Sequence, residues 1–337
     1  MTTNSAGSPP PTVTPSYRVG TIGQQQQKLD PLDQTTDSTL YGSGTFGTLD
    51  SLADTGEFKT DHSVEPWVAT VIEDLRREPT DRAVRARVLR LPQAAAISLV
   101  IALDNQPELL MDLCNKERGN IVCHLIEKLG PDQTFCLIKF ALDNFKALSL
   151  NQSGCIALPR ILQFVKPSQR EVFFEAVMEI FDELIVHPFG NYVVKHFLTT
   201  KEPSHQAGIV KALIADNEKL ESVATNKFGS HVMDDIFKNC ADETAVPLLK
   251  TIFGNQSLLK LMVHHEYANY CIQSAFRYVN TVCDAQVQSW CVSQVIPVVA
   301  SSKYQQNIMK HAVSGYRQYK PHDASSSAQG GQQQQQQ

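Results

Sequence analysis

The chain has 337 residues, 42% of them hydrophobic, with 30 Lys or Arg against 35 Asp or Glu and a formal net charge of −5. That is ample apolar material for one large domain or two ordinary ones, and it lacks the broad positive field that histone-like or general duplex binding requires. The eight cysteines stand apart at 114, 123, 136, 155, 240, 271, 283 and 291, and no two have the two-residue gap of zinc or redox pairs; buried thiols of an intracellular protein are expected.

Residues 1–66 are dominated by Ser, Thr, Gly, Pro and Gln, with a glutamine run from Gln24 to Gln27, and cannot bury enough to offset chain entropy. A disordered tail is predicted there, and a second over 321–337, which ends in six glutamines from Gln332. The first tail holds 3 Lys or Arg and 8 Asp or Glu, so residues 67–337 carry 27 of each sign and any polyanion contact must come from local patches. The start, "MTTNSAGSPPPT", has neither the basic nor the apolar stretch of a secretory leader. "GSGTFG" from Gly42 to Gly47 spells a dinucleotide fingerprint but has no strand before it and no helix after it, so it reads as flexible linker. Residues 67–105 are helical in pattern without a recognisable motif, and the apolar run Ala94 to Leu103 is about half a membrane span.

From there a motif recurs, most plainly in "HPFGNYVVKHF", "NKFGSHVMDDIF" and "HHEYANYCIQSAF". Its small polar position falls at Asn120, Cys155, Asn191, Ser230, Asn269 and Gln306, at intervals of 35, 36, 39, 39 and 37 residues, a period that marks stacked helical units. In "FGNYVVKHFL", Val193, Val194, Phe197 and Leu198 share one helical face and must pack inward, while Asn191 and Lys195, four apart, share the other beside Tyr192. The next units place Ser230, His231 and Asp234, then Asn269, Tyr270 and Gln273, at the same offsets. Rows of flat rings alternating with hydrogen-bonding pairs suit unpaired bases, which stack on the rings and present their Watson–Crick edges to the pairs. His264 and His265, like His187, His196 and His311, have no spaced partner donors, so helix starts or core are expected for them and no metal site. No nucleophile elbow, phosphate loop or paired carboxylates are present, and neither catalysis nor a cofactor is expected.

These triplets resemble Pumilio-type (PUF) repeats over roughly residues 105–320, most strongly from 187 to 277. The resemblance implies an all-α fold, a right-handed α-solenoid of three-helix repeats shaped as a crescent, whose middle helices face RNA on the concave surface, one base per repeat and antiparallel to the chain. It divides the chain into a tail (1–66), a repeat domain (67–320, with degenerate repeats at 67–105, recognisable ones at 106–280 and a cap at 281–320) and a second tail (321–337), with room for roughly seven units. Asn269 and Gln273 match a uracil-reading pair with Tyr270 as the stacking ring; Ser230 matches a guanine-reading serine, with Asp234 in place of Glu; Asn191 and Tyr192 match a second uracil reader, with Lys195 in place of Gln. Together these spell 5′-UGU-3′. Upstream the pattern decays: Cys155 matches an adenine-reading position but Ile156 and Pro159 replace its partners, and Asn120 has His124 for Gln with Ile121 between the bases. Gln306 belongs to the cap and is not expected to read a base. The resemblance further implies a monomeric, cytoplasmic regulator of messenger RNA translation or decay, acting through 3′ untranslated regions with protein corepressors on the convex face and without a membrane; nuclear or nucleolar residence stays open. A ribosome-assembly relative gripping precursor RNA by shape, and a protein-binding solenoid without RNA, are the alternatives.

Overall fold

A computed structural model describes residues 65–116 and 118–316, and all regular structure among them is α-helical. The expected tails and the Gly42–Gly47 stretch lie outside the described residues, apart from Glu65 and Pro66. An opening pair, α1 (Pro66–Arg77) and α2 (Arg82–Leu89), precedes five triplets. These are α3 (Gln93–Asp104), α4 (Pro107–Lys116) and α5 (Asn120–Leu129), then α6 (Phe135–Asp143), α7 (Phe145–Ser149) and α8 (Gly154–Ile161). Next come α9 (Pro167–Glu179), α10 (Phe181–Val186) and α11 (Gly190–Thr199), α12 (Pro203–Ile214), α13 (Asn217–Thr225) and α14 (Lys227–Asn239), and α15 (Asp242–Gly254), α16 (Gln256–His264) and α17 (Ala268–Val282). A closing pair, α18 (Ala285–Val299) and α19 (Gln305–Tyr316), completes the described chain. The seven expected units are thus five full triplets between two pairs.

The last helix of each triplet packs against its counterparts on either side, so that α2, α5, α8, α11, α14, α17 and α19 form one continuous row. Behind it α12, α15 and α18 pack in turn, and the core runs unbroken through all units. No triplet covers its own apolar face, which is why the row must propagate. Val193, Val194, Phe197 and Leu198 are fully buried, as their spacing requires. Among the described residues no helix is long and apolar enough to cross a membrane, and Ala94–Leu103 lies within α3.

Each row helix starts at a tight corner. Asn226 Oδ1 accepts the backbone N–H groups of Phe228 and Gly229 at 2.7 and 3.0 Å, and Asn151 Oδ1 those of Ser153 and Gly154 at 2.8 and 3.0 Å. His187 does the same with Nδ1, taking Phe189 and Gly190 at 3.2 and 3.1 Å, so this histidine caps a helix start. The small residue that follows answers to packing. A Cβ on Gly154 would lie 2.4 Å from the Leu148 carbonyl oxygen, and one on Gly229 2.5 Å from that of Val223. Prolines do not all mark joints, since Pro159, Pro247 and Pro297 sit inside α8, α15 and α18, where each lacks the N–H of a helical bond.

Gly229→Ala should therefore lower the unfolding free energy by about 1–3 kcal/mol in urea titrations, because its neighbour is backbone and cannot swing aside. Gly254→Ala, with nothing within 4 Å of the added Cβ, should be neutral or slightly stabilising.

Candidate nucleic-acid interface

Within each unit, let the small polar residue be position one and the ring position two. In α11, α14 and α17 position two is Tyr192, His231 and Tyr270, all exposed, the tyrosines by 51% and 61%. The three helices are consecutive in the row, so the rings stand side by side on one surface. Burial first, and then the Lys195 ammonium, lowers the pKa of His231 below the ordinary imidazole value, so its ring is neutral at neutral pH.

Position one differs from the sequence expectation of an outward-facing group. Asn191, Ser230 and Asn269 are only 3%, 6% and 1% exposed. Each lies in the first turns of its helix and satisfies carbonyls of the corner. Asn191 Nδ2 donates to the His187 and Pro188 oxygens at 2.8 and 3.0 Å, Asn269 Nδ2 to those of His265 and Glu266 at 2.9 and 2.8 Å, and Ser230 Oγ to that of Lys227 at 2.9 Å. With its N–H groups spent, what each asparagine can offer outward is its Oδ1 acceptor. In α17 that oxygen takes Nε2 of Gln273, position five, at 2.9 Å.

Position five in the other two helices is tied to the next unit. Lys195 Nζ lies 3.0 Å from a carboxylate oxygen of Asp235 and 5.6 Å from the centre of the Tyr192 ring. Asp234 accepts from Ser274 Oγ on one oxygen, pairs with Lys238 on the other, and has Arg277 at 3.6 Å, itself bonded to Ser274. Lys195 to Asp235 and Asp234 to Ser274 both run from position five of one unit to position six of the next, 40 residues on. Sequence reading missed these ties, although the period plus one residue finds them.

The upstream helices are different. On α8, Cys155 is buried with Sγ donating to the Gln152 carbonyl at 3.3 Å, burial pushes its thiol up to about 11, and Ile156 occupies the ring position, 39% exposed. On α5 the register slips by one. Its outward positions are 120, 124 and 127, where α11 has 192, 196 and 199, so Asn120 stands at the ring position and Ile121, expected between bases, is fully buried. The cause is Gly119, which adopts φ +66° and delays the helix start by one residue, with Ala157 too close for any Cβ on it. His124 Nε2 meets the Leu89 carbonyl at 3.2 Å, and Asn120 Oδ1 accepts from Arg160. In α19 the exposed Gln306 lies in the closing pair that packs on α17. Among the described residues no group of three metal donors occurs, and all eight thiols are free.

A profile of the Pumilio-family RNA binding repeat matches residues 144–178, 181–214 and 220–253, the stretch that supplies α8, α11 and α14 of the row. These three stretches match the Pumilio-family repeat. A Pumilio domain-containing protein of Schizosaccharomyces pombe is 25% identical over 227 residues, covering 62% of this chain and 31% of its own. Pumilio homology domain family member 4 of Saccharomyces cerevisiae is 22% identical over 179 residues, 52% of this chain and 20% of that one. The chain thus spans between a fifth and a third of these curated relatives. The crystal structure of PUF-8 in complex with PBE-RNA superposes with a TM-score of 0.63 at 19% identity, over 74% of each chain, which shows the shared fold.

One half-buried group sets a pH dependence. His196, position six of α11, has Nε2 sealed without a partner, and burial, then Arg170, lowers its pKa to about 4. The unfolded chain binds this proton more readily, so the stability from keeping the ring neutral is complete above about pH 6.5 and fades as pH falls towards about 4. At about pH 5 the loss attributable to His196 is about 2 kcal/mol, and His196→Gln should flatten the fall in denaturant midpoint between about pH 7 and pH 5.

Proposed function

We propose that the row of Pumilio-type helices binds single-stranded RNA, one base per helix, with selectivity concentrated in a 5′-UGU-3′ core read by α17, α14 and α11. The observation that carries this reading is the exposure of Tyr192, His231 and Tyr270 at one position of three consecutive, directly packed helices, each beside hydrogen-bonding groups. The structural neighbour named above is an RNA complex, which supports the same reading.

The chemistry of each position follows from the groups present. Uracil presents one N–H between two carbonyls; Asn269 Oδ1 accepts the N–H while Gln273 donates to a carbonyl, exchanging their mutual bond for the base. Asn191 and Lys195 offer the same polarity, with Lys195 sharing its donors between the base and Asp235. Guanine presents adjacent N–H donors, which suit the Ser230 hydroxyl and the Asp234 carboxylate. Asp234 already holds Ser274 and Lys238, so guanine must displace the exposed Lys238 pair, and discrimination there is weaker than a free carboxylate would give. Stacking on three rings contributes about 1–3 kcal/mol per base, about 3–9 kcal/mol in all before losses, so stacking alone reaches micromolar affinity only at the top of that range. Regulation of messenger RNA translation or decay in the cytoplasm, with partners recruited elsewhere on the molecule, completes the proposal.

Titration of the full chain against UGU-centred RNA should show selective loss when the G is replaced; equal weak binding to every variant would favour recognition of precursor RNA by shape, and no binding a protein-only solenoid. Asn269→Ser with Gln273→Glu should move preference at the first base from U towards G, and unchanged preference for U would show that the register is wrong. Lys238→Ala frees one oxygen of Asp234 and should sharpen discrimination for G at the second base by a few-fold.

A further inference from the structure

The ammonium at position five of α11 is held from two sides. Lys195 Nζ stands 3.0 Å from Asp235 Oδ2, which belongs to α14, and 5.6 Å from the centre of the Tyr192 ring in its own unit. The two side chains are only 26% and 17% exposed, so the pair is screened less than an ion pair on the open surface. Among the described residues Lys195 has no other ion-pair partner. Its charge also reaches the next ring, since after burial it is the second cause that lowers the pKa of His231. The ammonium is thus poised beside both Tyr192 and His231, the two rings that flank the place of the third base of the core.

A lysine reads bases poorly when it is free. Its four-carbon stem is flexible and its three donors rotate, so a loose ammonium serves any carbonyl, ring nitrogen or phosphate oxygen within reach. The tie to Asp235 changes this. One donor direction is committed to the carboxylate, and the remaining donors work from a fixed place near the Asn191 Oδ1 acceptor. Uracil, with an N–H between two carbonyls, meets that arrangement without rearrangement. Adenine and cytosine reverse the polarity of part of that edge. A mobile lysine can shift to whichever acceptor remains, whereas a tethered one cannot.

We infer that Asp235, at position six of α14, is a positioning residue for the unit before it: it holds Lys195 on the base edge and away from the phosphates, and so sets the preference for uracil at the third base. The inference rests on the reading of the row as a surface for single-stranded RNA. Its consequence is that the choice at the third base is made by two helices together, and the motif of α11 alone does not specify it. A carboxylate beside a polyanion lowers affinity, and here that loss accompanies a gain in discrimination.

The test titrates the full chain by fluorescence anisotropy, at several salt concentrations, against UGU-centred RNA and against RNAs with each other base at the first or the third position. Asp235→Asn keeps the shape and removes the charge. It should tighten binding to every RNA and steepen the salt dependence by about 0.7 in log–log slope, the mark of one added phosphate contact on a single strand. It should also cut the preference for U at the third base by about fivefold while leaving that at the first base unchanged. Asp235→Glu should restore most of the preference. With Lys195→Gln in place, Asp235→Asn should no longer alter the choice at the third base. A third-base preference that Asp235→Asn leaves intact overturns the inference, as does a parent protein that selects G at the second base but nothing at the third. A fall that persists with Lys195→Gln, or that extends to the first base, also overturns it and assigns Asp235 a general structural role. Absence of discrimination at the core G by the parent would instead overturn the reading on which the inference rests.

Discussion

Each row helix must approach the middle helix of its own triplet closely enough to turn its outward side chains onto a single surface, and the small residue just before position one makes that approach possible. At Gly154 and Gly229 a methyl group would meet backbone oxygen, not a side chain that could move. The corner caps Asn151, His187 and Asn226 fix where each helix starts, and so which residue becomes position two. Packing therefore decides the orientation of the rings before any ligand is considered. The α5 helix shows what happens when the corner changes: a left-handed Gly119 moves the start by one residue and the outward face carries Asn120 where its counterparts carry a ring.

A second constraint acts between units. Groups at position five do not wait free for a ligand but bond to position six of the next helix, as Lys195 does with Asp235 and Asp234 with Ser274. Such ties satisfy charges that are only partly exposed, and they couple neighbouring units, because any ligand that draws on Lys195 changes what Asp235 holds. The first member of each pair is likewise engaged, its donors committed to corner carbonyls. The ligand-free surface is thus internally hydrogen-bonded and has acceptors to offer chiefly from Asn191, Asn269 and Ser230.

The period of the motif and the inward spacing of Val193, Val194, Phe197 and Leu198 were enough to read the solenoid, because stacked units impose the same burial pattern again and again. The exposed rings were legible for the same reason. What the sequence did not disclose were contacts across units. Burial of Asn191 and Asn269, the engagement of Asp234 by Ser274 and Arg277, and the bond from Arg160 to Asn120 all depend on how far apart two helices sit, which periodicity within one helix does not encode. The slip at α5 was hidden because "GNIVCH" aligns by letter with "GNYVVK", while the backbone at Gly119 takes a conformation no letter specifies.

The central claim is that packing holds Tyr192, His231 and Tyr270 outward, clear of the core, where a ligand can reach them. Replacing all three by alanine and measuring thermal unfolding alongside RNA affinity tests it most directly. The account predicts a melting temperature within a few degrees of the parent and RNA binding weakened by at least about a hundredfold, since each lost stack is worth about 1–3 kcal/mol. A protein that melts much earlier, or that binds UGU-containing RNA as before, would contradict it.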